Sequence, residues 1–141
     1  MLTLAQARII ADTALDLAHQ KGFKPLSIVV LDARGARKVV LTEDSTSLKR
    51  AEIAFGKAYG ALSMGSGSRT LMTMANDRPH FVAAAIHVAD GQLVPVPGGV
   101  LIRASGEIVG AVGISGDTSD NDEAAAIAGI EAAGLTADPG V

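Results

Sequence analysis

Apolar residues recur every three to four positions near the start of the chain. They stand at Leu4, Ala7, Ile10, Ala11, Ala14, Leu17 and Ala18. This spacing places them on one face of an α-helix. Thr3, with Gln6 three residues later, has the form of a capping box, and Gly22 follows where the pattern ends. The pattern therefore predicts an amphipathic first helix.

Two short apolar runs follow this helix and are separated by a turn sequence. Residues 26–31 are aliphatic and β-branched, residues 32–35 read Asp-Ala-Arg-Gly, and residues 38–41 resume the strand pattern. Such runs on either side of a Gly-containing turn are typical of a β-hairpin. We expect two antiparallel strands here.

A second helix is predicted by an apolar stripe of the same period. Its members are Leu48, Ala51, Phe55, Ala58 and Leu62. Gly56 and Gly60 lie four residues apart on another face of this helix, where each costs about 1 kcal/mol relative to Ala. We therefore expect a close neighbour at these glycines, either within the chain or from another subunit.

The next segment predicts a short third helix and then an ambiguous stretch. Residues 66–68 (Ser-Gly-Ser) break the second helix and are suited to cap a third, which ends before residues 76–79 (Asn-Asp-Arg-Pro). Residues 80–88 are compatible with helix or strand. Residues 93–99 are extended but carry two prolines, which confines them to a sheet edge or a loop.

The last third of the chain predicts a second hairpin and a terminal helix. Residues 100–103 and 108–114 flank the turn pair Ser105 and Gly106, and a helix then opens at residues 119–123 and stops at Gly134. Hairpins rather than regular βαβ units dominate. We expect one α+β domain over residues 1–141, with a central antiparallel sheet flanked by helices.

Composition narrows the classes of function. The 141 residues are 48% hydrophobic, enough for a packed core, yet no apolar run is long enough to span a bilayer. The N-terminus lacks the pattern of a secretory signal, so we expect a cytoplasmic protein. No Cys is present, and a net charge of −3 with 3% aromatic residues argues against nucleic-acid binding.

A glycine-rich block at residues 110–116 (GAVGISG) leads from a strand to a helix, as phosphate-binding loops do. Its glycines do not have the GxGxxG spacing, and acidic residues follow directly. Ser115 resembles the nucleophile of a hydrolase, but all three His residues precede it, whereas that fold places its His after the Ser. A structural role is the better interpretation of Ser115.

An acidic group begins the last helix. It consists of Asp117, Asp120, Asp122 and Glu123. Its oxygens could bind a divalent cation, but the group lacks the Gly and the distant Glu of a calcium loop. Carboxylates at a helix N-terminus also bind free amides and complement the helix dipole. We therefore predict helix capping and no metal.

His80 and His87 lie near the Gly/Pro-rich segment and are candidates for a ligand pocket. Lys57, Tyr59, Met64, Met72 and Met74 could complete it for a flat cofactor or an organic acid. The alternative is that the His residues are hydrogen-bonded scaffold and that the Met residues fill the core.

Several segments together resemble the GlcG/HbpS-like haem-binding family. They are residues 2–7 (LTLAQA), 30–32 (VLD), 57–58 (KA), 94–102 (VPVPGGVLI), 110–116 (GAVGISG) and 122–123 (DE). The resemblance covers nearly the whole chain. It implies a profilin-like fold, a symmetric homo-oligomer and a relationship to the C-terminal domain of PduO-type cobalamin adenosyltransferases; some relatives bind haem.

By position, the resemblance also implies which residues border a ligand pocket. These are Lys57, Pro97, Gly98, Gly99, Ser115 and Asp117, with His80 and His87 as further candidates. The function that follows is a small-molecule-binding accessory protein for haem or a corrinoid. The alternative is a cofactor-independent isomerase or lyase acting on a small carbonyl compound, with Lys57, Tyr59 or a His as acid or base.

Overall fold

Five helices and five strands make up the computed structural model, which describes residues 1–141. In chain order they are α1 (Leu4–Lys21), β1 (Ser27–Asp32), β2 (Arg37–Thr42), α2 (Arg50–Met64), α3 (Ser68–Asp77), α4 (Pro79–Val88), β3 (Gly99–Ala104), β4 (Glu107–Ser115), α5 (Ser119–Ala132) and β5 (Thr136–Asp138). No helix is both long and apolar enough to cross a membrane.

The strands form one sheet in the order β2-β1-β4-β3-β5, and all neighbouring strands are antiparallel. Both hairpins are present as predicted. They are joined by the pairing of β1 with β4, which runs from Ser27 opposite Ser115 to Asp32 opposite Gly110. The predicted α+β class with a central antiparallel sheet is therefore confirmed. The short edge strand β5 was not predicted.

One face of the sheet is covered by α1 and α5. Alternate residues of the central strands, such as Ile28, Val112 and Ile114, are fully buried against the small apolar faces of these two helices. The predicted capping box is present, since the Thr3 hydroxyl accepts from the Gln6 amide at 3.1 Å and the Gln6 side chain accepts from the Thr3 amide at 3.0 Å. The first helix therefore forms as its sequence pattern predicts.

The other face is covered by α2, which lies unusually close to the sheet. Gly99 and Gly113 are cross-strand partners beneath it. A Cβ atom on Gly99 would overlap the Lys57 carbonyl, and one on Gly113 would overlap the Ala54 carbonyl. Only residues without a side chain at these two positions allow the helix backbone to lie directly on the strands.

The close neighbour expected at Gly56 and Gly60 belongs to the same chain. A Cβ on Gly56 would lie 2.7 Å from Val94 Cγ2, and one on Gly60 would lie 2.8 Å from Leu93 Cγ. Leu93 is buried against α2, although the segment around it forms no strand. A loop therefore covers this face of the helix.

The structure corrects one sequence prediction and resolves one assignment that the sequence left open. Leu48 precedes α2 and is 88% exposed, so its assignment to the core stripe is wrong. The apolar spacing extends to Leu48, two residues before the helix begins at Arg50. The ambiguous residues 80–88 belong to α4, which begins with Pro79 in its first turn, a position where the missing amide costs nothing.

Replacing Gly113 with Ala is expected to destabilise the fold by about 3 kcal/mol or more, because the added methyl meets the α2 backbone rather than a side chain that can rotate away. Urea unfolding followed by circular dichroism measures this change. Gly106→Asn is the matched control, since Gly106 has φ +81° and open space around it; Asn tolerates that conformation and should cost less than about 1 kcal/mol. Equal stability of the two variants would contradict close packing as the role of Gly113.

Candidate functional site

A buried ion pair lies at the end of β4. The ammonium group of Lys57, on α2, donates to Asp122 Oδ2 at 3.1 Å and to the Ile114 carbonyl at 2.9 Å. The two side chains are only 3% and 2% exposed. Because α2 and α5 cover opposite faces of the sheet, this pair joins the two helical layers around the end of a strand.

Gly98 provides the space through which the Lys57 side chain reaches Asp122. Its φ is +118°, and a Cβ there would lie 2.9 Å from Lys57 Nζ and 2.7 Å from the Ile114 carbonyl oxygen. The next residue, Gly99, donates its amide to the Ser68 hydroxyl at 2.7 Å, and Pro97 is buried. The Pro97–Gly99 block therefore forms the tight surroundings of the ion pair.

Ser115 has a structural partner as well. Its hydroxyl accepts a hydrogen bond from Arg50 Nη1 at 3.1 Å, and the residue is fully buried. No His or carboxylate bonds to this hydroxyl, so nothing in its surroundings would activate it as a nucleophile.

Asp117 holds the β4–α5 turn to the segment before β1. Its carboxylate accepts from the Lys24 amide at 2.7 Å, the Asn121 side-chain amide at 2.6 Å and the Thr118 amide at 2.8 Å. These bonds, led by the one from Lys24, lower the pKa of Asp117 below its ordinary value of 3.8. Its own amide donates to Asp122 Oδ1 at 3.0 Å, which fixes the second oxygen of the ion pair.

The remaining members of the acidic group are also bound by the protein. Asp120 and Glu123 both bind the guanidinium of Arg69 on α3. The N-cap of α5 is Thr118, whose hydroxyl accepts from the Asn121 amide at 3.2 Å. The prediction that the carboxylates cap the helix is thus wrong in detail, and no group of three or more His, Asp or Glu side chains is placed to hold a metal.

Burial dominates the electrostatics of the ion pair. It lowers the pKa of Lys57, against the attraction of Asp122, and raises the pKa of Asp122, against the attraction of Lys57. Each group therefore relies on the other to stay charged in an apolar setting.

The structure brings six of the eight sequence-predicted site residues together at this end of the sheet: Lys57, Pro97, Gly98, Gly99, Ser115 and Asp117. None of the three surface hollows of the molecule is lined by any of the eight. Of these six, Lys57, Ser115 and Asp117 have their polar side-chain groups hydrogen-bonded within the chain.

His80 and His87 lie elsewhere, on α4. Both are exposed, and their seven-residue spacing places them about 20° apart on one side of the helix. Among the helices and strands, α4 packs closely against α3 alone. The expected combination of these His residues with Lys57 in one pocket is therefore not found.

An apolar groove runs between α2 and α4, which we call the α2–α4 groove. Its volume is about 380 Å³. Eight of its nine lining residues are hydrophobic; the nine are Tyr59, Ser63, Met64, Phe81, Ala84, Ala85, Val88, Ala89 and Leu93. Neither His80 nor His87 lines the groove, but Ala84, which does, is four residues after His80 and three before His87, so each His lies about one helical turn from a groove residue.

Comparison with known proteins places this architecture in a family. The family model described as "Haem degrading protein HbpS-like" matches residues 2–131. The chain belongs to this HbpS-like family. No curated protein matches the sequence.

Solved structures with the same fold include three relevant ones. A double mutant of Streptomyces reticuli HbpS is 27% identical with a TM-score of 0.79, over 92% of this chain and 85% of that one. The PduOC:Heme complex is 24% identical with a TM-score of 0.86, over 95% and 96%. The Klebsiella pneumoniae protein ORFY is 21% identical with a TM-score of 0.86, over 94% and 90%.

Sequence reasoning missed the two partners that organise this HbpS-like domain internally. Local patterns identify Asp122 only as part of an acidic helix start, and they do not single out Arg69 at all. A signal was available for Asp122, because it lies one turn from Thr118, on the inner side of a helix whose Ala125 and Ala126 are buried. Its partner Lys57, 65 residues away, could not be identified by local spacing.

Lys57→Met is expected to destabilise the protein by about 3–5 kcal/mol, because Asp122 is left buried without its cation. The unpaired carboxyl then has a raised pKa in the folded state. The protonated carboxyl is neutral and can stay buried at little cost. The loss of stability relative to the parent should therefore be smaller near about pH 4 and grow as the pH rises through that pKa. Denaturant unfolding at a series of pH values measures both effects.

The double variant Lys57→Met, Asp122→Leu is the control, since replacing both charges with apolar groups should recover most of the loss. A Lys57→Met variant within about 1 kcal/mol of the parent at every pH would refute the role of the pair.

Asp117→Asn is expected to lower the stability of the protein at pH 7. The stability of the variant should also change less than that of the parent as the pH is lowered. Because the folded pKa of Asp117 is depressed, its contribution is complete above 3.8 and is lost as the pH falls through the folded value. The parent and the variant should therefore converge in melting temperature below that range. Asp44→Asn, with no side-chain bond in the structure, serves as the control; an acid dependence of the Asp117 variant equal to the parent's would contradict this assignment.

Proposed function

We propose that this protein is a haem-binding accessory protein whose ligand occupies the α2–α4 groove. The observation that carries the proposal is the groove itself: a hydrophobic hollow lined by Tyr59 and Met64, two side chains able to bind iron, in a member of the HbpS-like family. The similar structures of HbpS and of the PduOC:Heme complex support the choice of haem among flat ligands.

The groove has the composition that a porphyrin requires. Its wall on α4 is formed by Phe81, Ala84 and Val88, and its floor on α2 includes Tyr59 and Met64. Val88 is 82% exposed and Phe81 39% exposed, so apolar surface is left uncovered on this side of the chain. Binding a flat apolar molecule would remove that surface from water.

Side chains able to bind iron lie in the groove and on the helix that forms its wall. Tyr59 and Met64 line it, and His80 and His87 are exposed on α4, each about one turn from the lining residue Ala84. His, Met and Tyr are all axial ligands of haem iron, and without Cys any haem here is held noncovalently. Bound haem would supply an iron centre with coordination chemistry that the chain alone lacks.

The buried cluster around Lys57 supports the site rather than forming it. Lys57 ties α2 to α5, and α2 carries Tyr59 and Met64 to the groove. Lys57 is not accessible as the acid or base of the isomerase or lyase hypothesis, since the Lys57 side chain is only 3% exposed. A homo-oligomer and a cytoplasmic location remain predictions, the first supported by the exposed apolar surface of α4.

Titration with haemin is expected to give a saturable, sharpened Soret band at one site per chain, or one per two chains if a two-fold axis passes through the site. A variant with both His80→Ala and His87→Ala should lose the shift while keeping its circular dichroism spectrum, because both residues are exposed. His19→Ala is the matched control, since His19 lies on α1 and bonds to Glu43.

A second variant tests the groove independently of the iron ligand. Val88→Glu places a charge on the apolar wall and should weaken haemin binding, whereas Leu48→Glu, similarly exposed but outside the groove, should not. Unchanged titrations of the double-His, Tyr59→Phe and Val88→Glu variants would show that the groove is the wrong site. If the parent protein shows nothing but broad, unsaturable absorbance, haem binding is refuted. Saturable binding of hydroxocobalamin would then indicate a corrinoid ligand.

A further inference from the structure

A second hollow adjoins the α2–α4 groove and is not explained by the proposal above. We call it the Arg37 hollow; its volume is about 460 Å³, and it lies between β2, the first half of α2 and the loop at residues 91–92. Phe55 lines this hollow, and Tyr59 lines the groove. The two rings are stacked with their centroids 5.1 Å apart.

The two hollows share no lining residue but adjoin each other along α2, where together they form one surface. They meet at the stacked ring pair and again at the consecutive loop residues Gln92 and Leu93, one of which lines each hollow. The surface is apolar at the α4 end and becomes charged at the β2 end. A ligand that follows it would present its apolar body to α4 and a polar edge to β2.

Arg37 is the cation at that polar end. Its guanidinium lies 4.1 Å from the centroid of the Phe55 ring, and no carboxylate lies within ion-pair distance of it. By contrast, Arg34 on the same hairpin is paired with Asp32, and Arg69 and Arg103 have carboxylate partners as well. An arginine over an aromatic ring keeps guanidinium N–H donors available to a carboxylate.

Two other charged side chains, Glu52 and Arg78, lie near this surface. Glu52 also lines the Arg37 hollow, and its negative charge would repel an anion there. Lys49, whose ammonium group lies 3.9 Å from the Glu52 carboxylate, offsets part of that charge. Arg78 is likewise without an ion pair and stacks over Phe81 at 4.5 Å, but it lines no hollow that could receive a ligand group. Arg37 is thus the arginine that combines a free guanidinium with space beside it.

We infer that Arg37 binds a carboxylate of the ligand, so that the surface selects flat apolar molecules with an acidic edge, such as a porphyrin dicarboxylate. This inference rests on the proposed function, since it assigns the opposite edge of the same ligand. Arg37 would orient the molecule by placing its acidic edge at β2, which leaves its ring system against Tyr59 and α4.

The test compares haemin with its dimethyl ester, which has the same ring and iron but no free carboxylates. In the full-length protein, Arg37→Met should raise the Kd for haemin about two- to fivefold, a range typical of exposed charge pairs, and leave the Kd for the ester unchanged. Met retains an apolar stem over Phe55, so the loss reports the charge. Glu52→Gln should lower the Kd for haemin.

Arg34→Met is the matched control, because Arg34 is on the same hairpin, 85% exposed and already paired. It should leave both Kd values unchanged. Saturable haemin binding that is equally tight in Arg37→Met and Arg34→Met, or that weakens in Arg78→Met instead, would overturn the assignment of Arg37 while the haem proposal stands. Absence of saturable binding in the parent would refute the haem proposal and this inference with it.

Discussion

The close seating of α2 on the sheet is the constraint on which the other features depend. Gly99 and Gly113 face each other across two strands and leave the helix backbone in direct contact with them. At this separation Lys57 reaches past the end of β4 to Asp122. A side chain at either glycine would push the helix away from the sheet and move Lys57 out of contact with Asp122. The close packing and the buried ion pair therefore depend on each other.

The ion pair is best understood as a positional device. Removing two charges from water is expensive, and apolar residues of similar volume often give equal or greater stability. An apolar pair, however, would lack the directional hydrogen bonds that determine how the helices are oriented. Lys57 must meet both the Ile114 carbonyl and Asp122, and Asp122 must also accept from the Asp117 amide, so α2, β4 and α5 have one relative arrangement that satisfies all three bonds.

The same seating determines what the outer face of α2 presents. With its glycine face covered by Leu93 and Val94, the helix turns Phe55 and Tyr59 toward the hollows at the surface. The helix α4 packs closely on α3 alone and stands beside this face without closing over it. A rigid, buried interior thus supports an apolar surface that remains open to a ligand.

Local patterns in the sequence determined four of the five helices, both hairpins and the close packing at Gly56 and Gly60, because helix and strand periods and turn residues act over a few positions. They left residues 80–88, which form α4, open between helix and strand. They also carried the likeness to the HbpS-like family. Tertiary structure alone decided that Lys57 meets Asp122 across 65 residues, that Thr118 rather than an acid caps α5, and that His80 and His87 lie apart from the glycine block. These contacts depend on how the two helical layers meet around the end of a strand. The spacing of residues along the chain does not encode the distance between residues in different layers.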